Sequence, residues 1–149
     1  MAVEFRFAIR SDVGLVRKNN QDSAYAGSRL LVVADGMGGA AGGDIASSVV
    51  IAHLAPLDDA PGPSDELLTN LGDALQSAHD ELIERSDEDR SLKGMGTTCT
   101  ALLRSENKLA MVHIGDSRAY LLRDKQLVQV TSDHSLVQYL VDTGRITKQ

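Results

Sequence analysis

The chain has 149 residues, of which 42% are hydrophobic and 3% aromatic, so it can bury a single, mainly aliphatic core. A formal net charge of −6 argues against a nucleic-acid partner or an anionic membrane, because both require a basic face. The single cysteine, Cys99, excludes an internal disulfide framework, and no signal peptide or ~20-residue apolar span is evident, so we expect a soluble, cytoplasmic domain.

The first half of the chain alternates short strands with two amphipathic helices. Residues 4–9 alternate polar and apolar side chains, which predicts a strand with one buried face. Short strands are expected at 23–26 and from Leu30 to Asp35. A helix follows over 44–54, with Asp44 placed to cap its first turn. After a Pro/Gly loop, Ser64 is predicted to cap a long helix whose apolar stripe is Leu67, Leu68, Leu71, Ala74, Leu75, Ala78, Leu82 and Ile83.

The second half is rich in β-forming residues separated by tight turns. Strands are predicted over 97–103, 109–114, 118–123 and 126–131, with turns at 105–108 and 124–125. Because the turns are short, these strands should pair antiparallel. A short helix is expected over 136–141, capped by Ser135 and ended by Gly144.

One carboxylate, Asp35, lies at the tip of a buried strand and is followed at once by Gly36. A rigid carboxylate beside a bare backbone suits a hard divalent cation, which prefers carboxylate, carbonyl and water oxygens. The same residues also fit the dinucleotide fingerprint G-x-G-x-x-A, although Asp35 would repel a pyrophosphate there. A glycine-rich turn with no chemistry is the third interpretation.

Two further acids occupy similar positions. Asp116 follows a second strand and a glycine, and Asp22 follows a polar run that contains Arg17. Carboxylates at strand ends could bind a metal ion, and an arginine could grip a phosphate through two parallel hydrogen bonds. A metal-bound water is a nucleophile near neutral pH, so this set favours phosphate ester hydrolysis. For Asp116, an ordinary turn carboxylate bonded to the backbone or to Arg118 is an equal alternative.

Six motifs, taken in order, resemble the metal-dependent protein phosphatases (type 2C, the PPM family) in their compact bacterial form. The resemblance runs from about residue 9 to residue 147. The motifs are Ser11-Asp12-Val13-Gly14-Leu15-Val16-Arg17, Asn20-Gln21-Asp22-Ser23, Asp35-Gly36-Met37-Gly38-Gly39, Gly94-Met95-Gly96-Thr97-Thr98, Gly115-Asp116-Ser117-Arg118-Ala119-Tyr120 and Thr131-x-Asp133-His134-Ser135.

The resemblance implies an α+β fold, an αββα sandwich of antiparallel sheets with flanking helices. It implies two Mn²⁺ or Mg²⁺ ions and hydrolysis of phosphoserine and phosphothreonine in proteins by a water bridging both ions. In that scheme Asp35 resembles the carboxylate shared by both metals and Gly36 the carbonyl ligand. Asp22 resembles the acid that holds metal-bound water, and Arg17 the phosphate clamp. Asp116 resembles a ligand of the third, weaker metal of bacterial members.

The implied partners are phosphorylated proteins, including serine/threonine kinases, with no nucleic acid and no membrane contact from this segment. Gln21 stands where many members carry Glu, and Ala40 and Gly43 stand where bacterial members often carry His and Glu. The family's later Asp-Gly and Asp-Asn motifs are absent. We therefore expect residues 1–149 to be the N-terminal portion of one phosphatase domain, incomplete at its C-terminal end and weakly active or inactive alone. A non-catalytic interaction or sensing module with the same fold is the alternative.

Overall fold

A computed structural model describes residues 4–38, 42–133, 137–142 and 145–148, the last two ranges by backbone only. In these residues, two α-helices accompany nine strands, and short 3₁₀ turns occupy Ala55–Asp58 and Arg90–Leu92. The elements are β1 (Asp22–Ala26), β2 (Leu30–Met37), α1 (Gly42–Leu54), α2 (Leu67–Glu88), β3 (Gly96–Thr97), β4 (Cys99–Ser105), β5 (Lys108–Ile114), β6 (Tyr120–Arg123), β7 (Gln126–Gln129), β8 (Val137–Asp142) and β9 (Arg145–Lys148).

Most strands form one antiparallel sheet in the order β1-β2-β4-β5-β8-β9, with β3 also paired to β2. Strands β6 and β7 form a separate hairpin. Its turn residues Asp124 and Lys125 have φ of 53° and 64°, the left-handed conformation that a two-residue hairpin turn needs. The predicted antiparallel pairing is therefore confirmed for β4 with β5 and for β6 with β7, as are the tight turns between them, whereas β5 and β6 lie in different sheets.

The core lies between one face of the main sheet and the two helices. Alternate residues of the strands point to this face because side chains alternate along a strand. The cluster also takes in the apolar stripes of both helices, as the spacing predicts, except for Ile83 at the end of the α2 stripe, which is 48% exposed. Its fully buried members are Leu30, Val32, Val49, Val50, Leu54, Leu67, Leu71, Ala78, Cys99, Ala101, Leu103, Ala110 and Val112.

The opposite face of the sheet is more open. Val33 on β2 is 52% exposed, and Phe7 and Ile9 beside it are 51% and 55% exposed. Residues 4–9 form no strand, so that prediction is wrong. Their alternation is real, but a strand also needs a hydrogen-bonded neighbour, and this segment has none among the described residues. Residues 7–9 instead line a cavity together with apolar residues of the sheet.

Two helix predictions also need correction. The long helix begins at Leu67, with Glu66 at the N-cap position and no side-chain cap, so Ser64 does not cap it. The segment predicted as a helix over 136–141 forms strand β8, whose backbone pairs with β5 from Lys108 to His113. Pairing with an available strand outweighs the local helical spacing. Ser135 and Gly144, the predicted ends of that helix, lie outside the described residues, as do Gly39 and Ala40.

The architecture is the predicted α+β class, with antiparallel sheets and two helices. Among the described residues, no helix combines the length and the apolar character that crossing a bilayer requires.

Candidate metal and phosphate site

The candidate site lies where β2 ends. Asp35 stands directly opposite Asp22 of β1 in the antiparallel register. Both side chains are exposed, whereas the next residue of β2, Gly36, is buried. The sheet register therefore brings together two acids that are thirteen positions apart in the sequence.

Gly36 lies too close to the start of α1 for any side chain. A Cβ on Gly36 would overlap the Gly43 carbonyl and would lie 2.8 Å from the Gln21 carbonyl oxygen. The Gly36 amide donates to that Gln21 carbonyl at 3.2 Å, and the Ser47 hydroxyl donates to it at 2.7 Å. The end of β2, the start of α1 and the residue before β1 are thus packed with their backbones in contact. A Cβ on Gly43 would also meet the Gln21 side chain at 2.5 Å, so these two departures from the family pattern are in contact.

The electrostatics around Asp35 are those of crowded acids. The pKa of the Asp35 carboxyl is raised, first by partial loss of hydration, then by the charge and hydrogen bond of Asp22 and by the charge of Asp116. Arg17 acts in the opposite direction. The other three charged residues singled out from the sequence therefore all act on Asp35. An arrangement that disfavours the carboxylate charge favours a bound cation, because a cation would relieve the repulsion.

A polar cavity of about 230 Å³ adjoins this strand end. Arg17, Asp22, Asp35 and Gly36 all line it. Asp12 also lines it, and its carboxylate accepts the Gly14 amide at 2.8 Å, a hydrogen bond typical of a turn-forming aspartate. The cavity therefore brings together four of the five predicted site residues.

Asp116, the fifth, lies on the neighbouring turn after β5 and does not line this cavity. The preceding Gly115 has φ of +102°, a conformation that glycine adopts without strain. Arg118, the cation that the turn alternative offered to Asp116, pairs instead with Asp133 through two bonds of 3.1 and 2.8 Å. The Coulombic effect on Asp35 shows that Asp116 is near the site without being part of its cavity.

Within the described ranges, no three His, Cys, Asp or Glu side chains come close enough to hold a metal ion by themselves. The donors present, two carboxylates and a bare backbone, suit a hard cation but supply only part of its coordination shell.

Sequence reasoning assigned no role to Thr98, although it belongs to one of the quoted motifs. Thr98 is 2% exposed, and its hydroxyl accepts the Asp35 amide at 2.9 Å. Its position after two glycines gave no signal of this contact, since only the sheet register places it opposite Asp35. His113 of β5 is fully buried and shares a 2.8 Å hydrogen bond with Thr100.

Comparison with known proteins identifies the family. Residues 16–149 match the model of the protein phosphatase 2C family. The serine/threonine protein phosphatase PstP of Mycobacterium tuberculosis is 54% identical over 144 residues, which cover 97% of this chain and 28% of that protein. The serine/threonine phosphatase stp of Listeria monocytogenes is 35% identical over 148 residues, covering 94% of this chain and 59% of that protein.

The fold agrees with solved structures. The crystal structure of the PstP catalytic domain in complex with two manganese ions superposes with a TM-score of 0.83 at 53% identity, covering 87% of this chain and 56% of that one. The chain thus has the fold of bacterial serine/threonine phosphatase domains, and it belongs to the protein phosphatase 2C family. The resemblance inferred from the six motifs is confirmed. The chain spans 28% and 59% of the two relatives, which is consistent with the expectation of an incomplete sandwich.

The family assignment excludes the alternative interpretation of the glycine-rich segment after Asp35 as a dinucleotide-binding motif. That alternative requires a strand, a crossover helix and a second, parallel strand. Every strand pair in the described part of the chain is antiparallel, including those of β2 with β1, β3 and β4.

Proposed function

We propose that the protein containing this chain hydrolyses phosphoserine and phosphothreonine in other proteins with the help of Mn²⁺ or Mg²⁺. In this proposal residues 1–149 are the N-terminal portion of a single catalytic domain. The observation that carries it is the pairing of Asp22 and Asp35 at the edge of a polar cavity that Arg17 also lines. The names of the relatives and the two manganese ions of the PstP complex support it.

Asp35, the Gly36 carbonyl and Asp22 are the groups proposed to hold the ions, with Asp22 acting through bound water. Their fit is chemical: the acids are crowded, their oxygens are hard donors, and the pKa of Asp35 is raised by the neighbouring negative charges after partial loss of hydration. A divalent ion bound there would supply Lewis acidity and lower the pKa of bound water toward 7. Asp116, on the adjacent turn, is proposed to hold a third, weaker ion.

Arg17 is proposed to bind the substrate phosphate. Its side chain lines the cavity that Asp22 and Asp35 border, so its guanidinium can reach an anion placed there. The planar guanidinium offers two parallel donors to a phosphate, which fixes the orientation of the phosphate as well as its position.

The substrates proposed are phosphorylated proteins, including serine/threonine kinases that phosphorylate themselves. A cytoplasmic location belongs to the same proposal, because kinase products form where ATP is available. The 149-residue chain alone is expected to show little or no turnover, since its described residues supply an incomplete ligand set.

The test is Asp35→Asn in the full-length protein that contains these residues. We expect Mn²⁺-dependent phosphate release from a phosphothreonine peptide to fall about a hundredfold or more, because several kcal/mol of transition-state stabilisation depend on a correctly held ion. Asp73→Asn, an exposed position on α2, makes the same charge change away from the site and should leave the rate unchanged.

Two results would contradict the proposal. Full activity of the Asp35→Asn variant would show that Asp35 is not a metal-binding residue of the catalytic site. Absence of metal-dependent phosphate release in the unaltered full-length protein would favour the non-catalytic interaction module instead.

A further inference from the structure

Thr98 interrupts the ladder between β2 and its partner at the position of the key acid. Strand β2 pairs regularly at Val33 with Thr100, and again at Gly36 with Thr97. The same register places Thr98 opposite Asp35. There the Thr98 amide donates to the Asp35 carbonyl at 2.9 Å, but the Asp35 amide donates to the Thr98 hydroxyl at 2.9 Å rather than to its carbonyl. A side-chain oxygen thus takes the place of a backbone acceptor.

The displaced carbonyl of Thr98 is itself satisfied, because it accepts the Thr97 hydroxyl at 2.7 Å. The exchange therefore leaves neither group without a hydrogen bond, although Thr98 is almost fully buried. Its hydroxyl is held in one place by the Asp35 amide.

Thr98 also touches both neighbours of Asp116. Its hydroxyl shares a 2.7 Å hydrogen bond with the Ser117 hydroxyl. Its methyl group lies against Gly115, where a Cβ would come within 2.6 Å of it. The buried Thr98 side chain is therefore hydrogen-bonded to the backbone of Asp35 and also contacts the residues on either side of Asp116.

We propose that Thr98 is a positioning residue that fixes the spacing of Asp35 and Asp116, and that it thereby sets the affinity of this strand end for divalent cations. The inference rests on the proposed function. It assigns to the Thr98–Ser117 hydroxyl pair the coupling of two acids, Asp35 near the end of β2 and Asp116 on the turn after β5. Partners of this kind, which orient a ligand without touching the ion, typically change metal affinity by about 10–100-fold when removed.

The experiment measures Mn²⁺ binding by calorimetry in the full-length protein, with Thr98→Val as the main variant. Valine keeps the shape of threonine and removes the hydroxyl. We expect the dissociation constant for Mn²⁺ to rise by about 10–100-fold, and phosphate release to recover as Mn²⁺ is increased. Thr98→Ser keeps the hydroxyl and should bind Mn²⁺ within about threefold of the unaltered protein.

Thr100→Val is the matched control. Thr100 is the next cross-strand hydroxyl on β4, and it bonds His113 rather than either acidic turn. It should lower stability to a similar extent and leave Mn²⁺ affinity unchanged. Should Thr98→Val fail to fold, Ser117→Ala removes the other half of the link from a partly exposed turn and should also weaken Mn²⁺ binding.

The outcomes separate this inference from the function on which it depends. If Asp35→Asn abolishes activity while Thr98→Val and Ser117→Ala bind Mn²⁺ normally, the positioning role is wrong and the proposed function stands. If Thr98→Ser is as impaired as Thr98→Val, the methyl packing rather than the hydroxyl matters, and the link is again refuted. If the unaltered protein binds neither Mn²⁺ nor Mg²⁺, both proposals fail.

Discussion

An aspartate lies near each end of strand β2, Asp58 at one end and Asp35 at the other. The environments of the two carboxylates are opposite. At the Leu30 end, Asp58 from the 3₁₀ turn accepts the Arg29 amide at 2.8 Å, the Leu30 amide at 3.0 Å and the Tyr25 hydroxyl at 2.9 Å. At the other end, Asp35 meets further acids. One carboxylate is surrounded by hydrogen-bond donors, whereas the other faces two further acids, whose effect Arg17 only partly opposes.

The pKa values follow this difference. Burial acts to raise the pKa of Asp58, but the donated hydrogen bonds of Arg29, Tyr25 and Leu30 outweigh it, so the net pKa is lowered. The pKa of Asp35 is raised, by partial loss of hydration and by Asp22 and Asp116. The fold satisfies the structural carboxylate by itself, whereas the candidate catalytic one remains in a repulsive environment that a cation would relieve. A structural and a functional acid can thus be distinguished by what faces them.

The largest expected effect concerns the backbone contact that places the Asp35 end. Gly36→Ala would force a Cβ into the Gly43 carbonyl, which is backbone and cannot move aside. We expect the free energy of unfolding to fall by about 3 kcal/mol, the upper end for overpacking, together with loss of Mn²⁺ binding. Urea denaturation and calorimetry of the full-length protein measure the two.

Gly72→Ala is the control for this substitution. Gly72 lies within α2 with open space around the position of a Cβ. The same change should there raise the free energy of unfolding by about 0.5–1 kcal/mol, because alanine is the better helix former. Equal effects at both glycines would show that the Gly36–Gly43 contact is not critical.

The next largest effect concerns the Leu30 end of β2, where the Asp58 carboxylate is fully hydrogen-bonded. Asp58→Ala removes an acceptor from three donors, two of them backbone amides. We expect a loss of about 2 kcal/mol in the free energy of unfolding, since each stranded donor loses its hydrogen bond. Mn²⁺ affinity should not change, because Asp58 is at the far end of β2. Asp59→Ala, the exposed neighbour, should be nearly neutral, and a shift in Mn²⁺ affinity for Asp58→Ala would show that the two ends are not independent.

The sequence predicted the two acids of the site better than the elements around them. Asp35 and Asp22 could be recognised because each stands at the boundary of a strand and a loop. The motifs placed Arg17 with them. The contribution of Thr98 was not predictable, since it arises from register across β2 and β4, and no local pattern encodes which residue a strand end will face.

The two wrong predictions of secondary structure have a common cause. Residues 4–9 alternate as a strand would, and 137–142 have spacing that suits either a helix or a strand. In each case the outcome depends on pairing: β8 finds β5, whereas residues 4–9 have no paired strand among the described residues. Local periodicity indicates which face is apolar but not whether a neighbouring strand is present.

Acid pH should reduce the contribution of the Asp58 carboxylate to the free energy of unfolding. The pKa of Asp58 lies below the ordinary value of 3.8, so its stabilising contribution is present above that pH and is lost as pH falls through the lowered pKa. The stability difference between the unaltered protein and Asp58→Asn should therefore be largest at neutral pH and shrink toward pH 3. Urea denaturation across this range measures it, and a difference that grows on acidification would mean that the carboxyl is stabilising when protonated.

The smallest expected effect is at Asp35, where removing the charge should raise rather than lower the free energy of unfolding. A carboxyl whose pKa is raised on folding destabilises the folded state once pH exceeds its ordinary pKa, so Asp35→Asn should stabilise the metal-free protein at pH 7. The gain should be below about 1 kcal/mol, because both Asp35 and Asp22 are exposed and solvent screens their repulsion. It should shrink as pH falls through the raised pKa and disappear below the ordinary pKa, where the carboxyl is neutral in the folded and the unfolded protein alike. If Asp35→Asn instead destabilised the metal-free protein as Asp58→Asn does, Asp35 would be a structural acid and the contrast between the two ends of β2 would not hold.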